Sequence, residues 1–307
     1  MLKGKRVIVT GGAGFIGSHL VDALGPENDV TVFDDFTSGR MENLLGSAGH
    51  RIVRGSVTRP SQLRLVFRGA DIVFHLAARP SVPASVADPR GSGRVNLDGT
   101  LNVLVASRDA GVKKVVFSSS CAVYGDASPP VNETAIPRPG SPYAIQKLSA
   151  EHYCRNFHEL YGLGTVCLRY FNVFGPRQDP ASQYAAVVPV FFRDIARNGK
   201  VTIYGDGEQT RDFIFVDDVV RGNILAAEKK GAEGAVLNIA TGRGTGVNTL
   251  ARKIAALAGT PLAVKKAPPR KGDIKHSYAD ISSAKKLLGF RPRTSLPAGL
   301  GIFRSAF

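Results

Sequence analysis

The sequence predicts an α/β protein, a doubly wound parallel sheet with a smaller C-terminal α/β domain. Three observations predict it. Short β-branched runs alternate with stretches of helical periodicity through the first half of the chain. A glycine-rich turn joins the first such run to the first such helix. After about residue 170 the alternation loosens into Gly/Pro-rich loops: Gly175-Pro176, Gly205-Asp206-Gly207 and Pro268-Pro269.

The strand-like runs are Val7-Ile8-Val9, Val30-Thr31-Val32-Phe33, Arg51-Ile52-Val53, Ile72 to Leu76, Val115 to Ser118 and Thr165 to Arg169. Runs of this kind suit strands buried on both faces. Helices are expected near 16–24, 59–68, 94–110, 143–161, 186–198, 216–228, 247–258 and 281–288, with loop from Pro80 to Gly93 and a short last helix. No internal repeat is present.

Gly11, Gly14 and Gly17 have the spacing G-x-x-G-x-x-G, and Gly12, Gly14 and Gly17 have G-x-G-x-x-G. They follow the first strand and open a helix that Gly25-Pro26 ends. Glycine permits the tight turn, the approach of a pyrophosphate and close helix–strand packing. The pyrophosphate would rest on the helix N-terminus. The second strand ends in Asp34-Asp35, about 20 residues on, where an acid accepts from the adenosine ribose. A carboxylate there repels a 2′-phosphate, so a Rossmann-type domain using NAD is expected. Arg40 leaves an opening for NADP.

The chain has 307 residues and is 43% hydrophobic, enough for a sizeable core. No apolar run reaches a membrane span and no leader-like segment opens it, so a soluble, cytoplasmic protein is expected. Cys121, Cys154 and Cys167 are too few for a disulfide framework or zinc site, and no metal is expected. The net charge is +15, but the basic residues are dispersed. The reading is a basic surface suited to an anionic substrate, not a nucleic-acid interface.

Tyr143 and Lys147 stand at i and i+4 in a segment expected to be helical, so they share one face. An ammonium beside a phenol favours phenolate, which predicts a phenol pKa lowered from about 10 toward neutrality. Such a group is a general base for a hydroxyl proton.

With these residues the chain resembles the extended short-chain dehydrogenases/reductases, and within them the UDP-sugar 4-epimerases. The resemblance spans nearly the whole chain. It rests on Thr10 to Gly17, His75 to Ala78, Asn96 to Thr100, Ser118 to Gly125, Tyr143 to Lys147, Leu168 to Asn172, Arg211 to Ile214 and Arg270 to Asp273. It implies a nucleotide-binding domain over 1–170, with segments near 211–242 returning to it, and a nucleotide-sugar domain over 171–307. It implies oxidation of the sugar at C4 by NAD, turning of the 4-keto sugar, and reduction on the other face. Tyr143 would be the base, Lys147 would hold the nicotinamide ribose, and Ser120 would bond the reacting oxygen.

The implied cofactor contacts are Gly11, Gly14, Phe15, Ile16, Gly17, Asp34, Asp35, Ser38, Gly39, Ser56, Val57, Leu76, Ala77, Ala78, Asn96, Ser118, Tyr143, Lys147 and Tyr170. Asn96 reads equally as a helix N-cap. Ser56 replaces the family's usual Asp, and Pro80 stands where some epimerases have Lys. The implied substrate contacts are Ser120, Tyr143, Asn172, Val188, Arg211, Arg270, Asp273 and Ser277. The two arginines would grip the diphosphate, since guanidinium forks match phosphate oxygens.

Two departures separate subfamilies. Dehydratases carry Thr-Asp-Glu where this chain has Ser120-Cys121-Ala122, so elimination lacks its acid and base. Ser277 stands where glucose-limited epimerases tend to carry Tyr, which predicts room for an N-acetyl group unless Tyr278 fills it. The alternatives are another nucleotide-sugar enzyme of this family (a reductase, dehydratase or decarboxylase) or a noncatalytic NAD-sensing scaffold. A homodimer is expected, through the helices near 94–110 and 143–161. Leu97, Leu101, Leu104 and Val105 form an apolar stripe on the first of them that reads equally as core.

Overall fold

The computed structural model describes residues 2–46, 49–179, 186–269 and 274–306. Its first half runs β1 (Arg6–Thr10), α1 (Phe15–Leu24), β2 (Asp29–Asp34), β3 (His50–Arg54), α2 (Pro60–Val66), β4 (Ile72–His75), α3 (Val82–Ala87), α4 (Pro89–Gly93), α5 (Gly99–Asp109), β5 (Lys114–Ser120), α6 (Pro142–Tyr161) and β6 (Gly164–Tyr170). The second half runs β7 (Asn172–Phe174), α7 (Val187–Asn198), β8 (Lys200–Tyr204), β9 (Thr210–Arg211), β10 (Phe213–Phe215), α8 (Val216–Glu228), β11 (Val236–Ile239), β12 (Thr245–Gly246), α9 (Val247–Ala258), β13 (Ala263–Ala267), β14 (His276–Ser277), α10 (Ser282–Leu288) and α11 (Leu296–Ser305).

Seven strands form one parallel sheet in the order β3-β2-β1-β4-β5-β6-β11. This is the expected doubly wound, Rossmann-type α/β fold. Alternation along each strand feeds two cores. Val7, Val9, Val30 and Val32 join the cluster with Leu20, Val21, Val219 and Leu288. Ile8, Phe33, Val73 and Val115 join the cluster with Leu63, Val103, Leu104 and Phe157. Cys154 and Cys167 are core residues of that second face. Leu104 is sealed there too, so the expected surface stripe is reduced to Leu97, Leu101 and Val105, which are half-buried.

The stretch from Pro80 to Gly93, expected as loop, contains α3 and α4. Ser81 and Asp88 cap them, accepting from Ala84 N and Gly91 N, and a proline follows each cap. The helix expected near 94–110 is present, opening as a π-helical turn, Arg94–Asp98, that leads into α5. Asn96 lies in that turn, with its side chain committed to the loop after β4.

Helix α6 has clear ends. Ser141 accepts from Ala144 N, Pro142 opens the first turn, and Gly162 closes it at φ 69°. In the second half, Phe174, Phe191, Phe192, Phe215 and Phe303 pack with α7, α9 and α11 into a separate core. Three short sheets complete this half: β10-β7, β12-β9-β14 and β13-β8. No helix among the described residues is long and apolar enough to cross a membrane. Parallel strands bring Thr10, His75, Ser120 and Tyr170 to one edge of the large sheet, where α/β folds bind ligands.

Candidate active site

The glycine turn is shaped by backbone contact. Gly11 has φ 71°, and a Cβ there would lie 2.6 Å from Ala77 N. A Cβ on Gly17 would lie 2.2 Å from the Gly11 carbonyl oxygen. Gly14 differs: a Cβ would meet only the Gly11 oxygen, at 3.2 Å. Gly14 is also the N-cap of α1 and has no side chain to cap it. The first-turn N–H groups, at Phe15 and Ile16, are therefore available to an anion. This cradle fits a dinucleotide pyrophosphate.

Asp34 is buried, and its carboxylate accepts from Ala13 N at 2.9 Å and Phe36 N at 2.8 Å. Burial raises its pKa above the usual carboxylate value. Gly39 packs directly on this carboxylate, where a Cβ would come within 3.0 Å of both oxygens. Asp35 and Ser38 are exposed, and Asp35 accepts from Thr37 N. Arg40 Nη2 is paired with Asp179 at 2.6 Å, so the cation that left room for NADP is already engaged. Ser56 Oγ lies 3.1 Å from Thr58 Oγ1, and Val57 is buried against Gly99.

His75 holds the next stretch from below. Thr100 Oγ1 donates to the Asn96 carbonyl at 2.7 Å, which spends its proton. His75 Nε2–H therefore donates to Thr100 Oγ1 at 3.0 Å, and Nδ1 accepts from Thr10 Oγ1 at 2.7 Å. The ring is a neutral, fixed tautomer, and burial lowers its pKa to about 3. Above it, Leu76, Ala77 and Ala78 are half-buried beside Gly11. Asn96 is the loop's anchor and caps no helix. Its Oδ1 accepts from Arg79 N at 2.7 Å, and its Nδ2 donates to Arg79 O and to Gln146 Oε1.

Tyr143 and Lys147 project from α6 toward the end of β5. Lys147 Nζ donates to the Ser118 carbonyl at 2.6 Å and lies 4.7 Å from the Phe117 ring centroid and 5.9 Å from that of Tyr143. Ser85 Oγ accepts from Tyr143 N. Ser120 caps the turn at Cys121–Tyr124, accepting from Ala122 N. Tyr170 donates to Asn223 Oδ1 beneath them. The electrostatics differ from expectation. Burial pushes the Tyr143 phenol up to about 12, opposed by the facing Ser120 hydroxyl. Burial also lowers Lys147 to about 8. The protein's own groups do not make this phenol acidic, because desolvation outweighs them.

A family model described as the NAD dependent epimerase/dehydratase family matches residues 7–240. A UDP-glucose 4-epimerase of Mycolicibacterium smegmatis is 38% identical over 96% of this chain and 96% of its own. The chain belongs to the NAD dependent epimerase/dehydratase family. Solved structures agree over the full length. A UDP-N-acetylglucosamine 4-epimerase from Methanobrevibacter ruminantium, in complex with UDP-N-acetylmuramic acid, is 44% identical with a TM-score of 0.96, covering 100% of this chain and 99% of that one. A Thermotoga maritima UDP-glucose 4-epimerase with UDP-glucose is 43% identical with a TM-score of 0.94, covering 98% of each chain.

The other residues of this epimerase/dehydratase family member expected to hold substrate come from the second half of the chain. Arg211 of β9 pairs in register with Ser277 of β14, and its Nη1 donates to the Thr210 carbonyl. Tyr278 turns away, its ring against Gly244, where a Cβ would lie 2.9 Å from Cδ1. Asn172 begins β7, opposite Phe213. Val188 is 1% exposed, so its side chain belongs to the core. No side chain caps α7 among the described residues, which leaves its first-turn N–H groups as the local polar feature. Arg270 and Asp273 lie outside the described residues.

Sequence reasoning gave no role to Asp212, Glu151 or Gln146. Asp212 is fully buried and accepts from Thr241 N, Thr241 Oγ1, Gly242 N and Ala279 N, pinning two other segments beside Arg211. Gln146 joins Asn96 to Ser92 Oγ and Pro89 O. Both Gln146 and Glu151 sit one helical turn or less from Lys147, a spacing visible in the chain.

Proposed function

We propose that this protein is an NAD-dependent epimerase that inverts C4 of a UDP-hexose through a transient 4-keto sugar. The observation that carries the reading is the convergence of Tyr143, Lys147 and Ser120 at the end of β5, on the same edge of the parallel sheet as the glycine turn after β1. NAD, when bound, would supply an acceptor for the hydride leaving the sugar's C4, and its positively charged ring would favour phenolate at Tyr143. Tyr143 takes the sugar hydroxyl proton and returns it, with Ser120 holding the same oxygen. Lys147 orients the cofactor ribose and stays cationic beside the phenol. The glycine turn and Asp34 hold the dinucleotide.

The division of labour is residues 1–170, with returning segments near 211–242, for NAD, and 171–307 for the nucleotide sugar. Arg211, Asn172 and the open N-terminus of α7 suit the diphosphate. Elimination chemistry is disfavoured at Cys121 and Ala122. Burial pushes the Cys121 thiol up to about 11, so it stays neutral, and Ala122 carries no ionisable group. The small Ser277, with Tyr278 packed elsewhere, favours acceptance of N-acetylated hexoses as well. We also infer a homodimer through α5 and α6, where Ile145, Tyr153, Leu160 and Tyr161 are exposed. Light scattering checks that.

The test is direct. The pure protein is incubated with UDP-glucose, UDP-galactose, UDP-N-acetylglucosamine and UDP-N-acetylgalactosamine in turn, and the products are separated while NADH absorbance is followed. Interconversion within each pair, with no net NADH, is expected. Net NADH formation, or a product changed elsewhere than C4, would overturn the reading.

A further inference from the structure

Tyr143, Lys147 and Glu151 follow one another at intervals of four along α6, so they line one face. Facing them is the end of β5, Ser118-Ser119-Ser120. Each helix residue meets one serine. The Ser120 hydroxyl faces the Tyr143 phenol. Lys147 Nζ donates to the Ser118 carbonyl at 2.6 Å. Ser119 Oγ donates to Glu151 Oε1 at 2.5 Å.

Glu151 is held from its other side by Arg169 of β6. Arg169 Nε donates to Oε1 at 2.8 Å and Nη2 to Oε2 at 2.6 Å. Both side chains are within 4% of full burial. The guanidinium lies 4.6 Å from the Tyr124 ring centroid, and Arg169 Nη1 has no hydrogen-bond partner of good geometry among the described residues. A buried pair with an unsatisfied donor is a poor way to stabilise a fold, since an apolar pair of similar volume does as well or better. Its placement against the serines suits a different task.

We propose that Glu151 is a positioning residue, which through Ser119 fixes the serine end of β5 against α6 and supplies the counter-charge behind the Lys147 ammonium. The inference rests on the reading of Tyr143 and Lys147 as the catalytic pair. The titratable and charged groups around Lys147 are Tyr143, Glu151 and Cys154 on its own helix, the neutral His75 on β4, and Cys167 and Arg169 on β6. Burial lowers the Lys147 pKa, opposed by Cys154, Glu151 and Cys167, and Glu151 is the one carboxylate among them.

The experiment compares the wild type with Glu151→Gln in the full-length protein with NAD added. Lysine labelled with 13C at Cε is titrated by NMR, and the Lys147 resonance is assigned by its loss in Lys147→Met. In Glu151→Gln the Lys147 midpoint should fall by about one unit, the lower end of what a nearby opposite charge provides. Turnover of UDP-galactose should fall about 10- to 100-fold in kcat with KM within about twofold, as expected when positioning for the reacting step is lost. An unchanged midpoint with unchanged kcat overturns the proposal. If Glu151→Gln does not fold, Glu151→Met/Arg169→Met leaves no unpaired charge. The same two losses are expected of it, and wild-type values in that variant overturn the proposal. The titration needs no turnover, so it decides the positioning claim even if the wild type leaves every UDP-hexose unchanged, an outcome that would sink the functional reading alone.

Discussion

Lys147 Nζ sits 2.6 Å from the Ser118 carbonyl oxygen, and that bond ties the helix carrying Tyr143 to the strand ending in Ser120. It also holds a cation in a site where burial lowers its pKa from 10.5 to about 8.

That depressed value has a stability consequence. Between about pH 8 and 10.5 the unfolded chain binds the lysine proton and the folded one does not, so stability rises with pH in that window. Below about pH 8 the full cost of a buried ammonium is present, on the order of 3 kcal/mol. Lys147→Met should therefore be more stable than wild type at pH 7 and lose most of that advantage by pH 10, while being inactive. Urea denaturation at the two pH values checks it.

His75 sets the acid limit. Its folded pKa, near 3, is below the unfolded 6.5, so its contribution is complete above about pH 6.5 and is lost as pH falls toward 3. The loss approaches about 5 kcal/mol at the acid end. His75→Gln should flatten the pH dependence of the denaturation midpoint between pH 6 and 4. A curve as steep as that of wild type would show that other groups set the acid limit.

The glycines separate two requirements. Gly17→Ala would drive a methyl against the Gly11 carbonyl, so it should cost several kcal/mol and cofactor binding together. Gly14→Ala would bring its methyl to 3.2 Å from the Gly11 carbonyl oxygen, a tight contact but far milder than the 2.2 Å clash at Gly17, so the melting temperature without NAD should fall much less than in Gly17→Ala. Its methyl would nevertheless enter the pyrophosphate cradle, so NAD affinity should fall at least 10-fold by calorimetry.

Asp212→Asn replaces one acceptor oxygen with a donor among four converging donors. An unsatisfied or clashing buried group costs about 1–3 kcal/mol. Because those donors lie on segments beside Arg211, the KM for UDP-sugar should rise about 10-fold or more, with NAD affinity unchanged. Equal loss of both would point to general unfolding.

Most of the fold was legible because its signals are local. Val7 to Val9 and Val30 to Phe33 could hardly be anything but buried strands, and the glycines mark the turn that a dinucleotide needs. The helices at 82–93 were hidden because their caps, Ser81 and Asp88, sit in a stretch that otherwise reads as loop. The partners of Asn96 in the π-helical turn were hidden because a side chain reaching Arg79 and Gln146 is a tertiary matter. The same holds for the phenol. Spacing placed Lys147 beside Tyr143, but only the folded chain reveals how completely both are desolvated. Arg169 carries no sequence signal for its pairing with Glu151, which needs the register of β6 against α6.

The central claim is that the Tyr143 oxygen carries the sugar hydroxyl proton. The most direct measurement is the rate at which Tyr143→Phe interconverts UDP-galactose and UDP-glucose, alongside its bound NAD. The account predicts a loss of at least about 100-fold, the usual lower bound for removing a general base, with NAD content and melting temperature kept. Turnover at the wild-type rate in that variant would contradict it.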